Sequence, residues 1–289
     1  MAGRAQTVQE DKWSLIIQPK TSLFHFGLRE LIDYRDLLYL LVRRDIVTVY
    51  KQTLLGFFWF VVPPVLNALT YLIIFGLFAK IDNGAGNLVL FYLSGVIAWS
   101  FFADCINRTA TTFRANASIF GKVYFPRLIV PLAAVISAMV KFFVQFAFLL
   151  AVVTWFGFTD NPANIQWPNL WLLPVVILLM GLLGMSLGII ISSLTTKYRD
   201  LSNIVPFSVQ FLMYMTPVIY PYTFFPEKWQ WVFDVNPMAP LIETFRHLLL
   251  GSDRFIPVNL LWSLGFALIL LFVGLILFNR TQRNFMDTV

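Results

Sequence analysis

Thr195-Thr196-Lys197-Tyr198-Arg199-Asp200-Leu201 is a polar wedge between two long apolar runs, at 170–193 and 201–221. The hydrocarbon core of a bilayer takes about 20 apolar residues of helix to cross. Each run therefore reads as a spanning helix, and the wedge as the turn that joins an antiparallel pair on one membrane surface. The same alternation of long apolar runs and short polar links fills almost everything after residue 53.

Composition agrees. The chain is 58% hydrophobic and 17% aromatic, with only 12% charged residues, and its mean hydropathy is +0.74. A soluble domain of 289 residues does not tolerate such values. The polar stretch from Met1 to Lys20 has no apolar segment, so no cleavable signal peptide is expected. The single Cys105 excludes an intramolecular disulfide and any CxxC site. A pI near 9.5 would suggest nucleic acid in a soluble protein; here topology explains it better, and no nucleic acid is expected.

Six spans are predicted, at about 54–79, 88–107, 128–156, 170–193, 201–221 and 257–279. An even count puts both termini on one side. With the N-terminus inside, sixteen Lys and Arg fall on inner segments and only four, Lys80, Lys228, Arg246 and Arg254, on outer ones. That bias predicts a multi-pass membrane protein with both termini cytoplasmic. Lys141 falls inside a span. It lies roughly 20 Å from Arg127 at 1.5 Å per residue, where an unpaired charge costs at least ~2.5 kcal/mol.

The fold class is thus all-α integral membrane. A cytoplasmic N-terminal segment, 1–53, precedes a six-span domain, 54–289. Residues 28–52 carry Leu28, Leu31, Ile32, Leu38, Val42, Ile46 and Val49 at helical spacing, with Arg29, Asp33, Asp36, Arg43 and Arg44 largely elsewhere. This predicts an amphipathic helix along the inner surface, as a working part or as a simple anchor. Residues 223–250 form two apolar stretches split by Asn236-Pro237, each too short to span, and read as outer re-entrant helices around a cavity. Pro63-Pro64 marks a kink or break near the start of span one.

No GxxxxGK[ST] loop, HExxH motif or His/Cys/Asp/Glu cluster occurs, so the chain supplies neither its own ATP site nor a metal site. The outer carboxylates Glu227, Asp234, Glu243 and Asp253, with His247, offer acid–base groups to a membrane-embedded glycan-modifying transferase. Glu243 and Arg246, three apart on a helix, are better suited to an ion pair.

At this point a resemblance emerges. Tyr50-Lys51-Gln52-Thr53-Leu54-Leu55-Gly56 with Trp59 and Pro64, and the segment Asn116 to Arg127 (NASIFGKVYFPR), resemble ABC-2 type permeases of the polysaccharide, O-antigen and polyol phosphate export family. Tyr198-Arg199-Asp200, Thr216-Pro217-Val218-Ile219-Tyr220-Pro221 and Asn236-Pro237-Met238 with Phe245-Arg246 match in the same order. The likeness is closer to the O-antigen branch, which serves lipopolysaccharide biosynthesis, than to teichoic acid or capsule exporters. It implies a homodimer of six-span subunits with two copies of a separate ATPase, which binds the ATP and Mg. It also implies a polysaccharide carried on undecaprenyl diphosphate through a channel between the permease subunits. Val49 departs from the family pattern, standing where arginine is frequent, and Lys141 stands where a carboxylate is commoner.

Candidate residues follow. Arg43, Arg44 and Lys51 flank the turn into span one, where cations capture a lipid diphosphate or merely contact anionic head groups. Leu55, Gly56 and Trp59 shape an inner gate or pack a helix start. Tyr71, Trp99, Phe102, Phe207, Phe211 and Tyr214 line a sugar path or belong to the ordinary packing of a chain with thirty Phe. Arg114, Asn116, Ile119 and Lys122 lie in the 108–127 segment between spans two and three. It is expected to form a short coupling helix, capped by Asn116 or Ser118 and ended near Pro126, or else a solvated loop.

Overall fold

The computed structural model describes residues 28–51, 53, 56–81, 86–120, 125–158, 165–251 and 255–284. Among them every regular element is helical. The N-terminal amphipathic stretch forms two helices, α1 (Leu28–Asp33) and α2 (Arg35–Tyr50), parted by a turn at Tyr34. Leu31, Leu37, Leu38 and Leu41 pack on a cluster of Phe113, Phe120, Ile129 and Phe278. Ile32, Tyr39 and Leu40 remain exposed, so the apolar surface of these helices is wider than a single stripe.

Five helical segments are long and apolar enough to cross a membrane: Gly56–Phe78, Leu88–Ala110, Ile129–Gly157, Leu172–Lys197 and Pro257–Gln282. The first is composite. A 3-10 stretch, Gly56–Phe60, leads into α3 (Val62–Tyr71), which widens into a π-helical stretch, Leu72–Phe78. Pro63 and Pro64 fall in the first turn of α3, where a missing N–H breaks no helical bond. They mark the junction of two helix types rather than a kink within one.

The second span is α4 (Leu88–Ala110), started by Asn87, whose side chain accepts from the N–H groups of Val89 and Leu90. It is the hub of the molecule, 78% buried where the first and last spans are 22% buried. The short helices α5 (Thr112–Ala115) and α6 (Ala117–Phe120) follow, then α7 (Ile129–Gly157) and α8 (Leu172–Lys197). Helix α8 approaches α4 closely through Gly184 and Gly188: a Cβ there would stand 2.6 Å from Cys105 Cβ and 2.5 Å from Thr109 Cβ. Small residues one turn apart are how membrane helices bring their backbones together.

The apolar run 201–221 is not one spanning helix. It forms α9 (Leu201–Tyr214), 14 residues long, or about 21 Å at 1.5 Å per residue. Turns then occupy residues 215–220. The cause is local: Pro217 disfavours helical geometry at Thr216 and lacks an N–H of its own. The carbonyls this frees are taken up by the two helices that follow, α10 (Glu227–Val235) and α11 (Ala239–Leu250). Asn236 Nδ2 donates to Met215 O at 3.0 Å and to Thr216 Oγ1 at 2.8 Å, while its Oδ1 accepts from Met238 N–H. The chain closes with α12 (Pro257–Asn284), whose Ser263 donates to Pro237 O. The α5–α6 segment and the α10–α11 pair lie at opposite ends of α4 and give the two ends of the bundle their names below.

Candidate functional site: the cleft at the α2 end and the polar seam above it

Where α2 crosses the ends of α4 and α7, a cleft of about 410 Å³ opens. Its lining includes Arg44, Asp45 and Thr48 from α2, Arg108 from α4, and Asn116 and Ile119 from the α5–α6 segment. Arg44, a lipid-diphosphate candidate, thus shares a surface with Asn116 and Ile119, coupling candidates. Arg44 is not free: its Nε and Nη2 both donate to Asp45 Oδ1, at 3.1 and 2.9 Å. Asp45 Oδ2 accepts from Ser137 Oγ on α7 at 3.5 Å. Arg43 and Lys51 are exposed on α2 and at its C-terminal end. Gly56, at φ 53°, makes the turn into span one, and Trp59 is exposed beside it. Leu55 lies outside the described residues.

From Ser137 a polar seam climbs between α7 and α4. Ser137, Lys141 and Gln145 recur every fourth residue on α7; Ser100, Asp104 and Arg108 do so on α4. One helix turn sets them face to face. Lys141 Nζ lies 2.6 Å from Asp104 Oδ2, with the two side chains 22% and 27% exposed. Gln145 sits 3.0 Å from Ser100 Oγ through its Oε1 and donates from Nε2 to Phe60 O at 2.8 Å. The partner of Lys141 is therefore Asp104, and the cost of a charge in the membrane is met by a carboxylate in a partly open seam. That seam also holds the last carbonyl of the 3-10 turn that starts span one.

The α5–α6 segment is fastened to four helices. Phe113 stacks near Phe278 of α12 at 4.6 Å and near Phe120 at 5.9 Å. Phe113 N–H meets Ser192 Oγ of α8, and Arg114 Nη1 donates to Ser202 Oγ of α9 at 2.9 Å. The guanidinium of Arg127 lies over the Phe120 ring and donates to Gln282 O of α12. Asn116 does not cap α6 with its side chain, contrary to expectation. Its Nδ2 donates back to Thr112 O at 3.0 Å, closing α5, while its carbonyl accepts from Ile119 and Phe120. Ile119 is exposed. Lys122 lies outside the described residues.

The aromatic candidates divide. Phe207, Phe211 and Tyr214 stand exposed along α9, and Tyr71 of α3 reaches across to Met213 Sδ at 3.8 Å. Trp99 and Phe102 are instead 5% and 1% exposed and pack on each other at 5.2 Å. They are core. At the α10 end a cavity of about 430 Å³, lined by Tyr214, Tyr220, Phe225, Trp229 and Phe233, continues from the exposed α9 face.

Arg246 departs most from expectation. It is 3% exposed and not an outer-loop cation. Its guanidinium donates to the carbonyls of Pro217, Val218 and Phe91 and lies 3.7 Å over the Phe91 ring. Glu243 adds electrostatic attraction, but the hydrogen bonds go to the backbone rather than into the expected pair. A Cβ at Gly95 would collide with Arg246 Nη2 and stand 2.8 Å from Val218 O. Of the acid–base candidates, Asp234 accepts from Tyr222 at 2.9 Å, His247 stacks on Phe255, and Glu227 is exposed at the start of α10. Asp253 lies outside the described residues. Among the described residues no three His, Cys, Asp or Glu side chains gather to hold a metal.

Asp45, Ser100, Asp104, Ser137 and Gln145 were not among the residues singled out from sequence. Their signal is the four-residue spacing of polar side chains inside apolar runs.

Residues 36–250 match the family described as "ABC-2 type transporter". Among curated proteins the chain is 30% identical to the O-antigen export system permease protein RfbA of Klebsiella pneumoniae, over 87% of this chain and 94% of that one. It is 25% identical to RfbA of Myxococcus xanthus over 91% and 98%, and 24% identical to the polysialic acid transport protein KpsM of Escherichia coli over 85% and 93%. The match spans α2, four of the five long helices, the α5–α6 segment and the α9–α11 break. This multi-pass membrane chain belongs to the ABC-2 type transporter family.

Proposed function

We propose that the chain is the permease subunit of an ABC exporter that moves an undecaprenyl-diphosphate-linked polysaccharide of O-antigen type across the inner membrane. A separate ATPase binds ATP and Mg and drives it. In this reading α9 and the turns after it make an additional crossing, the fifth of six in chain order. The α10–α11 pair re-enters from outside, α2 lies along the inner surface, and both termini are cytoplasmic. Two copies pair so that the exposed faces of α3 and α9 enclose the path. Tyr71, Phe207, Phe211 and Tyr214 then offer ring faces to sugar C–H groups, contacts tolerant of a moving polymer.

One observation carries the reading: the α5–α6 segment presents Ile119 outward while Phe113 and Phe120 pack toward α12 and α2, the Phe113 N–H reaches α8 and Arg114 reaches α9. A push on this knob reaches the helices on both sides of the bundle, as ATP-driven closure of a partner requires. The greater identity to O-antigen permeases than to KpsM favours O-antigen over capsule or teichoic acid. The membrane-embedded transferase is the poorer reading, because the outer carboxylate Asp234 is already engaged by Tyr222.

The test is the double variant Ile119→Pro/Lys122→Glu. Proline at 119 removes the Ile119 N–H bond to Asn116 O in a short helix outside the long spans, so insertion should survive. Expected is a normal membrane level of the chain, with loss of surface glycan or of the co-purified ATPase. Normal glycan export would remove the coupling role.

A further inference from the structure

A second cationic site lies at the α2 end, on the far side of the α5–α6 segment. The ends of α8 and α12 and the turn into α9 enclose a cleft of about 710 Å³. Lys197, Arg199 and Arg280 reach it from three separate elements, and among the described residues no carboxylate lines it. Asp200, next to Arg199 in the chain, is not part of the lining.

These cations differ from four others in the molecule. Arg44 has Asp45, Lys141 has Asp104, Arg127 has Gln282 O, and Arg246 has three carbonyls. Among the described residues Lys197, Arg199 and Arg280 make no ion pair, and Lys197 rests only on the ring of Tyr198 at 5.2 Å. The neighbouring hydroxyls add little: Ser193 and Thr196 already donate to Ile189 O and Ser192 O. Thr281 and Tyr198 supply the remaining hydroxyls of the lining.

Helix ends account for part of the charge. The C-termini of α8 and α12 each carry roughly −0.5 of an elementary charge, which balances about one of the three cations. Roughly two remain. The other wall is apolar, with Leu194 exposed and Leu277 in the lining, and the outward face of α12 continues through Val273, Phe272 and Ile269. Charge at the membrane surface above an apolar groove is the chemistry of a lipid with its head in the cleft and its chains along α12. Basic pockets between spanning helices recognise such head groups.

We propose that this cleft holds an anionic phospholipid of the membrane, its preferred occupant being a head group with two phosphodiesters. Diphosphatidylglycerol has that chemistry. The site serves a resident lipid and not the exported polymer. It rests on the function proposed above only for the orientation that makes the donating leaflet the inner one.

The experiment uses the full chain in detergent micelles, titrated with diphosphatidylglycerol, phosphatidylcholine, an isoprenoid diphosphate and inorganic phosphate, with bound lipid read by native mass spectrometry. Each cation near an anionic lipid is worth a factor of ~5. Lys197→Gln/Arg199→Gln/Arg280→Gln should therefore weaken diphosphatidylglycerol binding ~100-fold, while the charge-conserving Lys197→Arg/Arg280→Lys keeps it. Phosphatidylcholine should bind equally poorly to all three proteins. Three results overturn the proposal: unchanged diphosphatidylglycerol binding in the triple variant, equally tight binding of inorganic phosphate, or tighter binding of the isoprenoid diphosphate to the same three residues. Co-purification of the ATPase is measured on the same samples. A triple variant that keeps its lipid but loses the ATPase assigns the cations to partner docking and also overturns the lipid site, whereas an ATPase lost from wild type as well bears on the proposed function alone.

Discussion

Lys141 and Arg246 are both cations inside the bundle, one toward the α2 end and one toward the α10 end, and they are compensated in different currencies of chemistry. Lys141 faces a carboxylate, Asp104, in a seam still about a quarter exposed. Arg246 is 3% exposed and faces carbonyls of a broken backbone. A Lys head is a compact point charge that one carboxylate satisfies; an Arg head is a planar fork that bridges several acceptors. The first is a pair that can be replaced as a pair. The second is a pin, because its partners are main chain and cannot be mutated away. The α2 end can thus be retuned by side chains, whereas the α10 end depends on one side chain to hold an irregular turn inside the membrane.

The largest effect should come from Arg246→Leu. It leaves the Pro217 and Val218 carbonyls without their donor, at about 1–3 kcal/mol each, and removes a desolvated cation–π contact worth about 2 kcal/mol. The sum is comparable with the whole margin of many domains. Little monodisperse protein should be recovered by size-exclusion chromatography, and Arg246→Lys should rescue it only in part. Gly95→Val should fail in the same assay, by collision with the same fork. Near-normal recovery of Arg246→Leu would mean that the turn is held by other contacts.

Asp104→Leu should be milder, about 2.5 kcal/mol for a Lys left alone in a span. The double variant Asp104→Leu/Lys141→Leu should recover to within about 1 kcal/mol of wild type, since apolar replacement of a buried pair is often neutral. Thermal unfolding of the four proteins of the cycle in one detergent checks this, and additivity of the two single losses would refute the pairing.

Gln145→Leu should cost about 1 kcal/mol, the worth of a hydrogen bond. It frees the Phe60 carbonyl, so faster proteolysis near residues 51–60 is the sharper readout. The smallest effect belongs to Arg44→Gln: its ion pair is half exposed, and such pairs contribute 0–1 kcal/mol. Its melting temperature should not move measurably, which isolates any export defect from stability.

The same contrast explains what was legible in the sequence. Five spans were, because twenty apolar residues in a row leave little choice. The Lys141 anomaly was equally readable. The run 201–221 was misread as one helix because its apolar length hid the effect of Pro217 on the residue before it. The partner of that break, Arg246, sits 29 residues further on, a distance no local pattern reports. Asp104 escaped notice because a lone carboxylate near a predicted span end looks like a surface residue. Only the matching four-residue spacing on α7 gives it meaning. Trp99 and Phe102 were chosen for their ring chemistry, but burial is set by α4 being the hub, a property of the whole bundle.

The most direct test of the account is the fate of the polysaccharide when the gene for this chain is deleted. Polymer on the cell surface and lipid-linked polymer inside are quantified on the same cultures with an anti-glycan antibody, before and after complementation. The account predicts full-length lipid-linked polymer retained inside and none at the surface, with export restored only when the chain and its ATPase are both present. Normal surface polymer in the deletion strain, or restoration by the chain without any ATPase, would contradict it.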